Sequence, residues 1–259
     1  MTTERKRHIL LGLFVVALVL ANLIGAKITE FPTPNWLAAP LNVIFFPIIW
    51  FFNLILAWTG NDVLSYHFFN QVRVSVGILT VPVMFLITDI VEEVWGRKVT
   101  KEFINVGILG MLFLILITFI SVKLPAAERF AEMDAAYRSI FTTSIRMAIA
   151  SILAFYIAQM HDIWAFHFWK DKTKGKFLWL RNNLSTIASQ LLDSSIFMFV
   201  AFYHPTNFPA TLVVKLIIPY YIFKILFALL DTPFCYLGVW WVREDNAKTK
   251  NAKIQMNLK

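Results

Sequence analysis

Phe85-Leu-Ile-Thr-Asp-Ile-Val-Glu-Glu-Val-Trp-Gly-Arg-Lys98 is the stretch that decides how this chain folds. It continues an apolar run from Val74 and carries Asp89, Glu92 and Glu93 within about one helical turn. Gly96-Arg97-Lys98 then closes it. At about 100° per residue, the three acids share one helix face. An acid at the centre of a bilayer helix costs roughly 2.5–3.5 kcal/mol on insertion scales. Carboxyl groups gathered on one apolar helix are therefore expected to face a cavity, and the other helices are expected to wall it.

Composition supports that frame. Of 259 residues, 58% are hydrophobic and 15% charged, and the mean hydropathy is strongly positive. A soluble domain of this length carries more polar surface. The expectation is an all-α, polytopic membrane protein, with residues 1–259 forming a single membrane domain in contact with the lipid bilayer. The net charge of +8 fits Lys and Arg gathered in cytoplasmic loops better than nucleic-acid binding, so no nucleic acid is expected as a partner. One cysteine, Cys235, rules out an internal disulfide and gives no metal cluster. Arg5-Lys6-Arg7 precedes an apolar run that is long enough to span and lacks a small-residue cleavage site, so it reads as a first helix and not as a removable signal.

Six spans are expected, at about residues 9–26, 74–94, 103–122, 140–160, 184–203 and 216–242, followed by a basic tail over 243–259. Pro40–Trp58 is the ambiguous run. It is apolar enough to cross, yet it holds Asn42, Pro47 and Asn53. Charge parity decides. If it does not cross, the amino terminus, Arg97–Lys101, the 161–181 loop and the tail all fall on one side. Those regions hold two thirds of the Lys and Arg. The positive-inside rule then favours six spans with both termini cytoplasmic, and a re-entrant or interfacial segment near 40–58. No short-period repeat is visible, and a three-plus-three division fits the span count with no sequence echo to prove it.

Asn22, Lys27, Asp89, Glu92, Glu93, Arg146, Gln159, Gln190, Asp193, Lys224 and Asp231 lie inside or at the ends of these spans. Lys27 reads as snorkelling to the interface, Gln159 as interfacial, and Glu93 as a helix-end partner of Arg97 at i, i+4. The others are harder to explain that way. Thr186, Gln190 and Asp193 form a polar stripe at i, i+4, i+7, and Arg146 and Lys224 need carboxylate partners among Asp89, Glu92 and Asp193. Two readings follow: a structural ion-pair network, or a polar substrate site with charge-balanced walls. Most Phe and Trp read as lipid-facing or interfacial belt residues, and for a few, such as Phe85, Trp95 or Phe227, stacking on a planar ring is the alternative that sequence alone does not decide. Catalysis has little support. No His-Glu-x-x-His, Gly-x-Ser-x-Gly or Walker sequence is present, and His8, His67, His161, His167 and His204 are expected in terminal or loop regions. No enzyme activity and no cofactor are expected.

Five motifs, in order, resemble one family. Ala21-Asn-Leu-Ile-Gly-Ala-Lys27 resembles the end of the first helix in the queuosine precursor transporter family, also called the vitamin uptake transporter group. Phe85–Lys98 resembles its hallmark acidic helix end. Arg146-Met-Ala-Ile-Ala-Ser151 resembles the start of its fourth helix. Trp179-Leu-Arg-Asn-Asn-Leu-Ser-Thr186 with Ser189-Gln-Leu-Leu-Asp-Ser194 matches its fifth, and Lys224 stands where the family has a lysine in its last helix. Residues 34–70 depart from the pattern as an insertion. The resemblance implies six transmembrane helices and import of a small-molecule deazaguanine: the 7-cyano or 7-aminomethyl precursor of queuosine, or queuine. Substrate-binding candidates are Asn22, Asp89, Glu92, Arg146, Gln190, Asp193 and Lys224. Alternating access around a midplane site is the expected mode. The rivals are a substrate-binding subunit of an ATPase-energised vitamin importer and a structural membrane scaffold. A homodimer is an open possibility for assembly.

Overall fold

The computed structural model describes residues 2–173, 178–230 and 233–243, without the side chains of residues 97, 159, 162, 163, 166, 167, 170, 178–186 and 228–230. Asp231, the side chains of Arg97, Gln159, Arg181 and Thr186, the basic loop residues Lys174 and Lys176, and the tail beyond 243 therefore lie outside what is described.

Helix α1 spans Thr3–Ile24, and the Thr2 hydroxyl accepts from the Arg5 N–H at 3.4 Å, satisfying one of its free amides. Strand β1 (Ile28–Pro32) follows. It pairs antiparallel with β2 (Gln71–Ser75), from Ile28 opposite Ser75 to Pro32 opposite Gln71. Arg73 grips Glu30 across this ladder with two bonds of 2.9 and 2.6 Å. The strand pair adds to the all-α expectation. Its two strands lie far apart in sequence, so nothing local announces the pairing.

The ambiguous run folds as α2 (Asn35–Ile44) and α3 (Phe46–Trp58), bent by 66° at Phe45. Neither helix is long enough to cross a bilayer alone. The two asparagines that made this run hard to read bind loop backbone. Asn53 accepts from the Leu64 N–H (2.6 Å) and donates to the Leu64 carbonyl (3.1 Å), while Asn42 accepts from the Phe69 N–H (2.8 Å). Ile49, Phe52 and Leu56 of α3 are buried, and Trp36, Trp50 and Trp58 are exposed.

Helix α4 (Val81–Trp95) starts with a proline in its first turn and stops at Gly96. Gly96 has φ +80° and ψ 173°, a conformation essentially reserved for glycine. Its N–H reaches the Glu92 carbonyl at 2.9 Å, and α5 (Arg97–Lys123) begins at the next residue. One residue thus turns the chain back on itself. Helix α6 (Ala131–Lys172) has 42 residues, about 63 Å at 1.5 Å per residue, roughly twice the hydrocarbon thickness. It absorbs the expected loop residues on both flanks of 140–160, because Glu132, Asp134 and Arg138 are as compatible with solvated helix as with loop. His161 is helical too, contrary to its expected loop placement, and α1 takes in His8 of the expected polar amino terminus. Helices α7 (Leu178–Phe202) and α8 (Ala210–Leu230) follow, and residues 233–243 are again helical.

Among the described residues, four helices are long and apolar enough to cross a membrane, or five if the bent α2–α3 pair is one span. The six expected spans are thus met only in part. α4 is 15 residues long because residues 71–80 form strand and 3-10 turn, and only Ile187–Phe202 of α7 registers as a short apolar helix. The chain is a mostly helical membrane protein.

Two packing groups stand side by side. α1, α4, α5 and residues 233–243 share Leu10, Phe14, Ile87, Ile90, Val91 and Phe103. α6, α7, α8 and α3 share Phe52, Met147, Met198, Ile217 and Ile218. At one end of the bundle, Lys6 donates to the Trp241 carbonyl and lies over its ring, Arg7 pairs with Glu102, and Arg243 bonds Glu93 at 3.1 Å. The strand pair and α2–α3 occupy the other end.

Candidate functional site

Between the two groups lie two adjoining cavities, of about 430 and 170 Å³. Both are walled by Leu18, Met84, Phe85, Phe155, Asp193 and Lys224. The larger continues toward Asp89, Glu92 and Thr100 at the Lys6–Trp241 end. The smaller continues toward Asn22, Ser75 and Gly77 at the strand end. Asp89 and Glu92 of the opening stretch line the larger cavity, which spares them the cost of facing lipid.

Where the cavities meet, Lys224 of α8 donates to the Asp193 carboxylate of α7 at 2.5 Å. The side chains are 7% and 21% exposed. Lys224 Nζ also sits 4.8 Å from the centre of the Tyr220 ring, one turn earlier on the same helix face. Tyr220 stacks near-parallel on Phe197, with centroids 6.0 Å apart and planes 21° from parallel. A charged pair flanked by aromatic faces can accept hydrogen bonds, donate them and cover a flat ring. Gln190 lines the larger cavity one turn before Asp193, and its buried Oε1 has no hydrogen-bond partner among the described residues. An unpaired buried carbonyl in a cavity wall is costly unless a ligand or water satisfies it.

The expected site residues divide. Asp89, Glu92, Gln190, Asp193 and Lys224 line the larger cavity, and Asn22, Asp193 and Lys224 the smaller. Asn22 is fully engaged in joining helices. It donates to the Leu18 carbonyl (2.9 Å) and Met111 sulfur (3.3 Å), and accepts from Ser151 (2.9 Å). Arg146 lines neither cavity. Its guanidinium donates to the carbonyls of Val200 (2.6 Å) and Tyr203 (2.7 Å), capping the end of α7, where a cation also complements the helix dipole. The carboxylate partner expected for Arg146 is therefore replaced by backbone oxygens, while Lys224 has the carboxylate expected for it. Glu93 bonds Arg243 outside the cavities, a helix-end role; the Arg97 side chain expected beside it lies outside the described residues.

Phe85 is a cavity wall, whereas Phe227 stacks on Phe223 and Trp95 packs in the α1–α4–α5 core. Sequence reasoning missed Thr88, Thr100, Phe155 and Ser189 in the larger cavity and Tyr220 in the smaller one. Spacing finds Tyr220 and Ser189 in retrospect: one is a turn from Lys224, the other a turn from Asp193.

A family model described as "Putative vitamin uptake transporter" matches residues 75–238. The match begins at the last residue of β2, so α1 and the α2–α3 insertion precede it. The "Probable queuosine precursor transporter" of Bacillus subtilis (strain 168) is 29% identical over 167 residues, covering 62% of this chain and 70% of that protein. No solved structure matches. Family and relative are transporters and not enzymes. With the family model covering most of the helical bundle and its cavity walls, this chain belongs to the putative vitamin uptake transporter family.

Proposed function

We propose that this chain carries queuosine precursors, 7-deazaguanine bases, across the inner membrane through the paired cavities. α4 and α7 complete six crossings, both termini lie on the cytoplasmic side, and α2–α3 lies re-entrant against α7 and α8. The B. subtilis relative, named for queuosine precursor transport, supports the substrate class.

The observation that carries the reading is the Lys224–Asp193 pair at the junction of two cavities, flanked by Phe197, Tyr220 and the unpartnered Gln190 carbonyl. A cavity of about 430 Å³ falls within the range of small-molecule sites, which starts near 300 Å³. A deazaguanine offers ring N–H and exocyclic amine donors on one edge, with a carbonyl beside them. In this reading Asp89 or Glu92 accepts from the donor edge and Lys224 donates to the carbonyl. The Gln190 oxygen takes a remaining donor, and Asp193 holds the ammonium of the aminomethyl form. The ring lies among Phe85, Phe155 and Tyr220. Buried groups matched to one edge reject rings that lack it.

The test is rescue of queuosine in transfer RNA. A host unable to make the precursor expresses this chain and is fed each candidate base at low concentration. Restored modification with at least one base is expected. Membrane-inserted protein that restores none refutes the assignment.

A further inference from the structure

α7 separates two recesses. Ser189, Gln190, Asp193 and Phe197 line the paired cavities. Ala188, Leu191, Leu192, Ser195, Phe199 and Tyr203 line a furrow of about 680 Å³, larger than either cavity. At about 100° per residue the two sets lie on nearly opposite sides of the helix. Phe52 and Ile55 of α3 and Val214 of α8 supply the rest of the furrow's apolar wall. Its polar groups gather at the strand end, where Thr59 and Asn61 follow α3 and Tyr203 follows α7. Thr211, at the start of α8, donates to the Asp62 carbonyl at 2.9 Å and fixes that loop there. His161 of α6 also lines the furrow. Its Nδ1 bonds the hydroxyl of Ser189, a residue of the larger cavity, at 3.0 Å.

Size and setting indicate what fills this furrow. From Ala188 to Tyr203 it follows α7 for about 22 Å. One leaflet's share of the hydrocarbon is about 15 Å, so a whole acyl chain can lie along it. Spread over that length, the volume gives a mean section of about 30 Å². A helix with its side chains is about 10–12 Å across. A helix of a second copy therefore covers the furrow without filling it, whereas a hydrocarbon chain enters it. The rim is continuous with the lipid-facing surface of this membrane protein: Phe51, Ile55, Phe199 and Tyr203 are 36–46% exposed. Left empty, such an apolar furrow forfeits the dispersion contacts of its whole lining.

We infer that an acyl chain of a bilayer phospholipid seats in this furrow, between α3 and the outward face of α7. The polar end of the lipid lies by Thr59, Asn61 and Tyr203, and the chain runs down the Phe199–Ser195–Leu191 side toward His161. The wall that carries Gln190 and Asp193 is thus backed by lipid and not by a further helix. The furrow is made by sequence: Ala188 and Ser195 are small residues two turns apart on a stripe otherwise of Leu, Phe and Tyr. The inference rests on α7 crossing the bilayer, as proposed above, and not on which base is carried.

The test uses the full chain in lipid nanodiscs containing a phosphatidylethanolamine with a diazirine midway along one acyl chain. After irradiation, adducts are mapped by mass spectrometry. Leu112, Phe113 and Leu116 of α5, each more than half exposed, report contact with bulk lipid. Adducts on Leu191, Leu192 and Phe199 are expected to exceed those on α5 by about tenfold, the ratio that about 1.4 kcal/mol of preferential occupancy gives. Ser195→Phe fills the furrow and is expected to remove the excess while α5 labels as before; Ala188→Phe serves if that variant does not fold. Equal labelling of the two helices means bulk lipid alone and overturns the seat while leaving the crossing intact. No adducts on α7 while α5 labels overturn the seat and the crossing together. A Phe199→Cys chain on a Cys235→Ser background that forms disulfide-linked pairs in place of adducts makes a second copy the occupant and also overturns the seat. No substrate is added, so each result leaves the queuosine-precursor reading to its own test.

Discussion

Gln190→Met is expected to stabilise the protein and weaken substrate binding at the same time. The Gln190 Oε1 is buried without a partner among the described residues, at the wall of the larger cavity. Leaving such a group desolvated costs about 1–3 kcal/mol. Methionine has similar length and no carbonyl, so the substitution recovers part of that cost, about 1 kcal/mol after allowing for the flexible thioether. Substrate that bonds this oxygen loses about 1–2 kcal/mol, roughly 5- to 30-fold in affinity. The assay is thermal unfolding of purified protein in detergent, with and without 7-cyano-7-deazaguanine. The unliganded variant should melt at or above the parent temperature and show a smaller ligand-induced rise. A variant that melts lower and binds as the parent does would refute the reasoning, because Gln190 would then be holding helices together and not waiting for a ligand.

Lys224→Met and Asp193→Asn each strand one partner of a largely buried pair. Each should cost up to about 3–5 kcal/mol alone, and the double variant much less than the sum; denaturant titrations of all four proteins would expose additivity as the failing result. Arg146→Met frees the Val200 and Tyr203 carbonyls and should lower stability by about 1–3 kcal/mol. Ligand affinity should change by less than about twofold, since the guanidinium reaches neither cavity; a larger loss in calorimetric binding would return Arg146 to the site. Gly96→Ala meets no atom with its added methyl, so its expected cost of about 1–3 kcal/mol is backbone strain alone. A melting temperature equal to the parent's would contradict that.

Much of the bundle can be read from residues because its logic is local. Apolar runs near bilayer length mark α1, α5 and α8, and Gly96 marks the α4–α5 turn. Asp89 and Glu92 of α4 line a cavity because lipid contact is too costly. What stays hidden depends on distant partners. The pairing of β1 with β2 has no local signature, and a charged flank such as 131–139 is equally good helix or loop, which is why α6 runs longer than expected. Arg146 shows the limit at the site. A carboxylate and a helix-end carbonyl both satisfy a guanidinium, and only the packing of α6 on α7 chooses. Phe155 and Tyr220 are hidden for a related reason, since in sequence a cavity-facing aromatic looks like a lipid-facing one.

The strand pair has a bearing on how this lineage could diversify. β1 and β2 clasp the base of the 33–70 excursion, so its two ends enter and leave the bundle at one point. Closing a loop costs only a slowly rising amount as the loop lengthens, about 0.6 kcal/mol per doubling. With the clasp in place, residues can be added or removed beyond it while α1 and α4 keep their relation to each other. The excursion is in effect a cassette, free to change in size and surface chemistry while the paired cavities are inherited intact. The family match that starts at the last residue of the clasp is where such a boundary would leave its mark.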